Sequence, residues 1–169
     1  MAPDSTHIVC FGNELHGDDG FGPAVYRRLM ALGVPPGWRL FATGSRGLDA
    51  LGLFEHCLQT IIVDAAAPAG HPGRLTLPSA AEVSQELAID GHGAGIGYLL
   101  RALPAIGLPQ NPRILAVEMS ALTTFQIGLS APVEAAVDAA IPLLCQWIAH
   151  GTESDMPTAH CITRLESTI

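Results

Sequence analysis

Short apolar runs alternate with stretches of helical periodicity along this chain. His7 to Phe11 is an apolar run that stops at Gly12, as a buried strand stops in a turn. Gly22 to Leu32 then sets Val25, Leu29 and Leu32 at helical spacing, with Pro23 suited to a first helical turn. Trp38 to Ala42 predicts a second short strand, and Leu48 to Leu58 a helix. Thr60 to Ala65 (Thr-Ile-Ile-Val-Asp-Ala) is the strongest strand signal, a β-branched run ending in a carboxylate. The stretch from Ala66 to Gly91 is rich in Pro and Gly and predicts one strand at Arg74 to Leu77 and a short helix near Ala80 to Leu87. Gly97 to Leu103 reads as helix and Ile114 to Met119 as strand. Pro132 to Ile148 predicts a long helix with Val133, Val137, Ile141, Leu144 and Ile148 on one face and a kink at Pro142.

Strands alternating with helices predict an α/β fold in three layers. A mostly parallel sheet of about five strands is covered by helices on both faces, with the Arg74 strand antiparallel at one edge. A length of 169 residues fits one domain over 1–150. After Gly151 the sequence turns polar, and 151–169 is expected to be a frayed or loosely docked tail. No internal repeat or low-complexity segment interrupts the pattern.

Composition narrows the chemistry. Hydrophobic residues make up 49 % of the chain and charged residues 14 %, which suits a large buried core. The net charge is −8, and all 8 basic residues are arginine. Without lysine, a Schiff-base mechanism and a lysine-dependent phosphate loop are both excluded. An acidic chain with scattered arginines also lacks the basic stripe that a nucleic-acid groove needs. Cys10, Cys57, Cys145 and Cys161 lie far apart, form no Cys-x-x-Cys pair and suggest no disulfide framework; the first three read as packing residues. The amino terminus is polar and does not read as a signal peptide. No uninterrupted apolar run reaches the roughly 18 residues that span a membrane. The expected setting is cytoplasmic, as a monomer or weak oligomer.

In an open α/β sheet, ligands collect at the carboxyl ends of the strands. Three such ends, or the loops after them, carry metal-competent side chains: Asp18-Asp19 after the first strand, Asp64 at the end of Ile-Ile-Val-Asp, and His92 between Gly91 and Gly93. Two carboxylates and an imidazole suit a borderline divalent cation and leave positions open for water. Plainer roles compete. Asp19 could cap the following helix, Asp64 could be a strand-end turn residue, and His92 an ordinary loop histidine. Gly12-x4-Gly17 is not a phosphate loop, because Asp18 stands where the lysine belongs. Ser45, in Gly44-Ser45-Arg46-Gly47, is one residue short of a nucleophile elbow.

Gly12-Asn13-x-x-x-Gly17-Asp18-Asp19-Gly20-x-Gly22-Pro23, directly after an apolar strand, resembles the opening motif of the hydrogenase maturation endopeptidases. The likeness continues through Ile62-Val63-Asp64-Ala65, Pro72-Gly73-Arg74, His92 with Tyr98-Leu99-Leu100, and Ser130-Ala131-Pro132-Val133, covering roughly residues 6 to 149. The resemblance implies a twisted sheet flanked by helices and an endopeptidase of aspartyl or metal-dependent type. It implies that Asp19, Asp64 and His92 bind a metal and carry the catalysis, with Asp18 in support, orienting His16 or tuning Asp19. The implied substrate is the large-subunit precursor of a nickel–iron hydrogenase, trimmed at its carboxyl terminus and recognised through nickel already installed in it. Other divalent cations could take the same site.

Two departures from the family pattern bear on which hydrogenase is processed more than on the reaction. Many relatives carry Asp-Gly-Gly where this chain has Ala42-Thr43-Gly44, and often Gly-Ile-Gln-Pro where it has Val117-Glu118-Met119-Ser120; both places are expected to touch the substrate. A ligating His92 must be neutral, so activity is expected to fall as pH drops through its titration range. The competing reading from another class is a non-catalytic nickel escort or checkpoint protein. It predicts a stable complex with the precursor and no loss of mass from it. A small-molecule hydrolase on the same scaffold would turn over without a protein partner.

Overall fold

The computed structural model describes residues 5–85, 95–108 and 111–150. The expected tail at 151–169, and the last two residues of the helix expected to reach Leu87, lie outside them. The strands are β1 (Thr6–Cys10), β2 (Trp38–Ala42), β3 (Gln59–Ala66), β4 (Leu75–Thr76) and β5 (Arg113–Glu118). They form one 5-stranded sheet in the order β2-β1-β3-β5-β4. β1 pairs in parallel with β2 and β3, and β3 with β5, while β4 runs antiparallel to β5 at the edge. The expected architecture is therefore the observed one.

Both faces of this sheet are covered, which is why its central strands read as unbroken apolar runs rather than alternating ones. Ile61, Ile62 and Val63 are all fully buried. Residues of one parity, Ile8, Cys10, Ile61, Val63, Leu115 and Val117, face α1 (Phe21–Leu32) and α4 (Ala131–His150). Those of the other parity, Val9, Phe11, Ile62 and Ile114, face α2 (Ala80–Gln85), α3 (Ile96–Ala105) and the 3-10 segment Gly47–Phe54.

That 3-10 segment stands where the pattern predicts a helix to Leu58. Gly47 and Gly52 weaken an α-helix there, and the segment ends in extended backbone at Glu55, followed by His56 at a φ of 54°. In α4 the buried stripe is Val133, Ala136, Val137, Ala140, Leu144 and Trp147. Ile141 and Ile148, expected on that face, are only partly buried. The helix is continuous through Pro142, as the predicted span requires. Pro142 lies on the exposed side, where water can satisfy the carbonyl that its missing N–H leaves unpaired. By length and composition α4, at 20 residues with mean hydropathy 1.2, is apolar enough to cross a membrane. Its apolar side is packed on the sheet and α1 instead. Cys145 is exposed on this helix, so it is not the packing residue its surroundings suggest; Cys10 is buried at the end of β1.

The start of α1 is pressed against the end of β1, and one glycine permits it. A Cβ on Gly22 would run into the carbonyl oxygen of Phe11. Gly22→Ala is expected to destabilise the fold by about 1–3 kcal/mol, the usual scale for forcing a methyl group into close-packed backbone. A urea melt with an unchanged midpoint would show that the helix can move away at no cost.

Candidate active site

The connection from β1 runs to β2 on one side, while β3 lies on the other, so the strand order reverses between β1 and β3. Open α/β sheets bind ligands in the crevice beyond such a reversal. The register Cys10↔Val63 is extended by a hydrogen bond from the Phe11 N–H to the Val63 carbonyl (2.8 Å). Asp64 is the next residue of β3, and the loop after β1 folds over the same strand ends.

That loop is built around Asp19. Gly12 has a φ of 131°, and a Cβ there would collide with the Asp19 carbonyl oxygen. The Asn13 N–H donates to Oδ2 of Asp19 (2.8 Å) and reaches its backbone oxygen at 3.2 Å. Oδ1 of Asn13 accepts from the Leu15 N–H (3.0 Å), which tightens the turn. A 3-10 turn, Asp18–Gly20, then leads into α1, whose cap position is Gly20 with no side-chain bond. Asp19 therefore does not cap the helix, which removes its plainest alternative role.

Burial raises the carboxyl pKa of Asp19, against the opposing pull of the Asn13 N–H and of His16. Burial likewise pushes Asp64 up to about 7; the Ala65 N–H, donating to Oδ1 at 2.8 Å, lowers it, and the charge of Asp19 raises it further. Asp19 thus opposes the ionisation of Asp64, and burial disfavours the charged form of both. A cation between them would reverse that effect, so the donor pair fits a divalent metal. Burial and the nearby Asp64 push the Cys10 thiol far above its usual range, leaving it without thiolate character.

The third expected ligand, His92, lies outside the described residues, with Gly91 and Gly93. Among the described residues no three His, Cys, Asp or Glu side chains converge. An open cleft of about 510 Å³ adjoins the loop, walled by Gly12, Asn13, Glu14, Leu15 and Pro23 on one side and by residues 42–45 on the other. The Thr43 N–H donates to the Cys10 carbonyl (2.9 Å), which holds the second wall to the end of β1. The Ala42-Thr43-Gly44 stretch therefore lines this cleft.

Two side chains have roles other than those expected. Asp18 neither orients His16 nor supports Asp19. It is 4 % exposed, and its oxygens accept from the Ser120 N–H (2.8 Å), the Ser130 N–H (2.7 Å) and the Ser130 hydroxyl (2.9 Å). Glu118 is buried too. It accepts from the N–H groups of Ala69 (2.7 Å) and His71 (2.5 Å) and pairs with Arg74 at 3.2 Å. Burial alone would raise its pKa, but the two N–H donors and Arg74 hold it below the usual value. Glu118 organises the turn before β4. Ser120 and Ser130 stand within stretches compared with the family motif, but their pairing with Asp18 follows from no spacing in the sequence. His7 is a satisfied structural histidine, bonded to the Leu53 carbonyl (2.7 Å) and to Ser5 (2.9 Å).

The family model described as hydrogenase maturation protease matches residues 23–147, beginning just after the acidic glycine loop. Solved structures agree. The hydrogenase maturating endopeptidase HybD of E. coli is 25 % identical with a TM-score of 0.73, covering 87 % of this chain and 94 % of that one. The hydrogenase 2 maturation peptidase of a Thaumarchaeota archaeon is 29 % identical with a TM-score of 0.63, covering 88 % and 99 %. The maturation protease HycI of Thermococcus kodakarensis, 17 % identical with a TM-score of 0.70 and coverage of 86 % and 93 %, shares the fold. No curated protein sequence matches the chain.

A raised carboxyl pKa has a defined sign. Asp64 is held neutral in the folded chain up to about pH 7 but ionises near the ordinary value of 3.8 when unfolded. It therefore costs nothing below pH 4, and the folded state loses stability as pH rises from there to 7. Asp64→Asn is expected to be more stable than the parent at pH 8 in EDTA by about 1–4 kcal/mol, with no difference at pH 4. Thermal melts at the two pH values test this; equal differences at both would refute the buried, repelled carboxylate.

Proposed function

The chain belongs to the hydrogenase maturation protease family, and from that premise we propose that it removes the carboxyl-terminal extension of the nickel-loaded large subunit of a nickel–iron hydrogenase. The observation that carries the proposal is the placing of Asp19 and Asp64 at the reversal of strand order, with the charge of Asp19 disfavouring that of Asp64. Such a pair is unfavourable alone and favourable around a cation. In this reading the cation is the nickel of the substrate, and His92 supplies the imidazole that completes the set.

Asp19 is positioned by the Asn13 N–H and Asp64 by its place in β3 and the Ala65 N–H, so neither carboxylate needs a large rearrangement to meet the metal. Contact with it stabilises both in their charged forms at neutral pH. The precursor is then anchored with its carboxyl-terminal segment along the cleft between residues 12–15 and 42–45. Nickel would polarise the scissile carbonyl or activate water there. Recognition through the metal makes trimming conditional on metal insertion.

Incubation with nickel-loaded precursor, followed by mass spectrometry of its carboxyl terminus, tests the proposal. Asp19→Ala, Asp64→Ala and His92→Ala are each expected to slow trimming by about 100-fold or more, the upper end of what even outer-shell changes cost a metal site. Nickel-free precursor should remain uncut by the unaltered enzyme. Normal processing by all three variants would remove the assignment. A stable complex without mass loss would mark an escort protein instead.

A further inference from the structure

Asp18 is a fully paired buried carboxylate that the cleavage reaction, as read above, does not use. What it holds is the segment at residues 120–130, between β5 and α4. Its oxygens take the N–H of Ser120 at one end of that segment and both the N–H and hydroxyl of Ser130 at the other. The two serine hydroxyls also bond to each other at 2.8 Å, so the segment is closed at its base. Its middle is laid along the acidic loop: the Gly17 N–H donates to the Gln126 carbonyl (2.7 Å) and the Gln126 N–H to the Leu15 carbonyl (3.0 Å). Isolated bridges His16↔Gln126 and Gly17↔Leu122 record the same contact.

This fixed segment displays apolar side chains to solvent. Phe125 is 89 % exposed and Ile127 83 %, with Leu122 and Leu15 beside them more than half exposed. Phe125 also has a φ of 55°, a conformation rarely adopted by a bulky residue. Strain of that kind persists where surrounding bonds impose it, and it collects at recognition sites. No charged residue occurs between Glu118 and Glu134, so the surface is neutral in a chain of net charge −8. It is continuous with the site at two points. Leu15 lines the cleft, and the Phe125 ring packs edge-on against His16 (6.3 Å), which acts electrostatically on Asp19.

We infer that Asp18 is a positioning residue for substrate recognition: it clamps residues 120–130 to the acidic loop so that Phe125 and Ile127 engage an uncharged, apolar stretch of the precursor polypeptide beside its metal centre. The inference rests on the functional reading above and adds a second, metal-independent part to recognition. Asp18 and Asp19 then divide the work, one holding the surface that meets the polypeptide and the other meeting the cation.

Steady-state trimming of nickel-loaded precursor by the unaltered enzyme, F125S/I127S and Asp18→Asn tests this. Phe125 and Ile127 are almost fully exposed, so their double variant retains the fold whatever happens to Asp18→Asn. The double variant should raise KM about tenfold or more and leave kcat within about twofold, as loss of apolar anchors does. Asp18→Asn should raise KM in the same way. It should also be nicked by chymotrypsin after Phe125 at least about tenfold faster, because the clamp no longer holds the segment down. Unchanged KM in F125S/I127S would overturn the docking role. Unchanged KM and unchanged nicking in Asp18→Asn would overturn the clamp. If the unaltered enzyme leaves the precursor whole, the functional reading fails and this inference falls with it; trimming by the unaltered enzyme with either result above sinks the inference alone.

Discussion

The parallel pairing of β1 with β3 is the constraint on which the rest of the site depends. Cys10 sits opposite Val63, and the Phe11 N–H continues the ladder by one more bond to Val63. That register leaves the loop after β1 and the carboxylate of Asp64 emerging side by side. Because β2 lies on the far side of β1, no further strand among the described residues lies between β1 and β3. A one-residue slip would turn Asp64 into the apolar layer and carry Val63 into the crevice. The fully buried Ile61, Ile62 and Val63 oppose such a slip through the packing of both sheet faces.

The crevice is chemically poised because the chain places two carboxylates where neither is well solvated. Burial is the largest contribution to the raised pKa of each, and their mutual repulsion adds to it for Asp64. Hydrogen bonds from Asn13 and Ala65 soften the effect without removing it. A site of this kind is uncomfortable without a cation and comfortable with one.

Adjacent carboxylates can have unrelated roles. Asp18 and Asp19 follow each other in a 3-10 turn, and the turn sends them in different directions. Asp18 is directed inward to three donors of Ser120 and Ser130, whereas Asp19 stays half-buried at the crevice with one oxygen on the Asn13 N–H. The first is a structural acceptor whose charge is answered by N–H and O–H groups. The second keeps coordination capacity free. Glu118, the last residue of β5, repeats the structural pattern by gathering the Ala69 and His71 N–H groups.

By itself the sequence determined the layered α/β fold, the strand positions and the candidates Asp19 and Asp64. Hydrophobic periodicity is a local property, and a strand buried on both faces must be continuously apolar. It overreached in the 3-10 segment Gly47–Phe54, where two glycines outweighed helical spacing, and at Cys145, whose apolar neighbours turn inward while the thiol faces solvent. Asp18 and Glu118 could not be read correctly at all. Their partners lie 102 and 112 residues away for Asp18 and 47 and 49 for Glu118. Which donors meet a carboxylate across such distances is decided by the crossing of strands and loops in space. Local pattern can propose that an acidic glycine loop does chemistry, but only the tertiary structure separates the carboxylate that holds the loop from the one left facing the crevice.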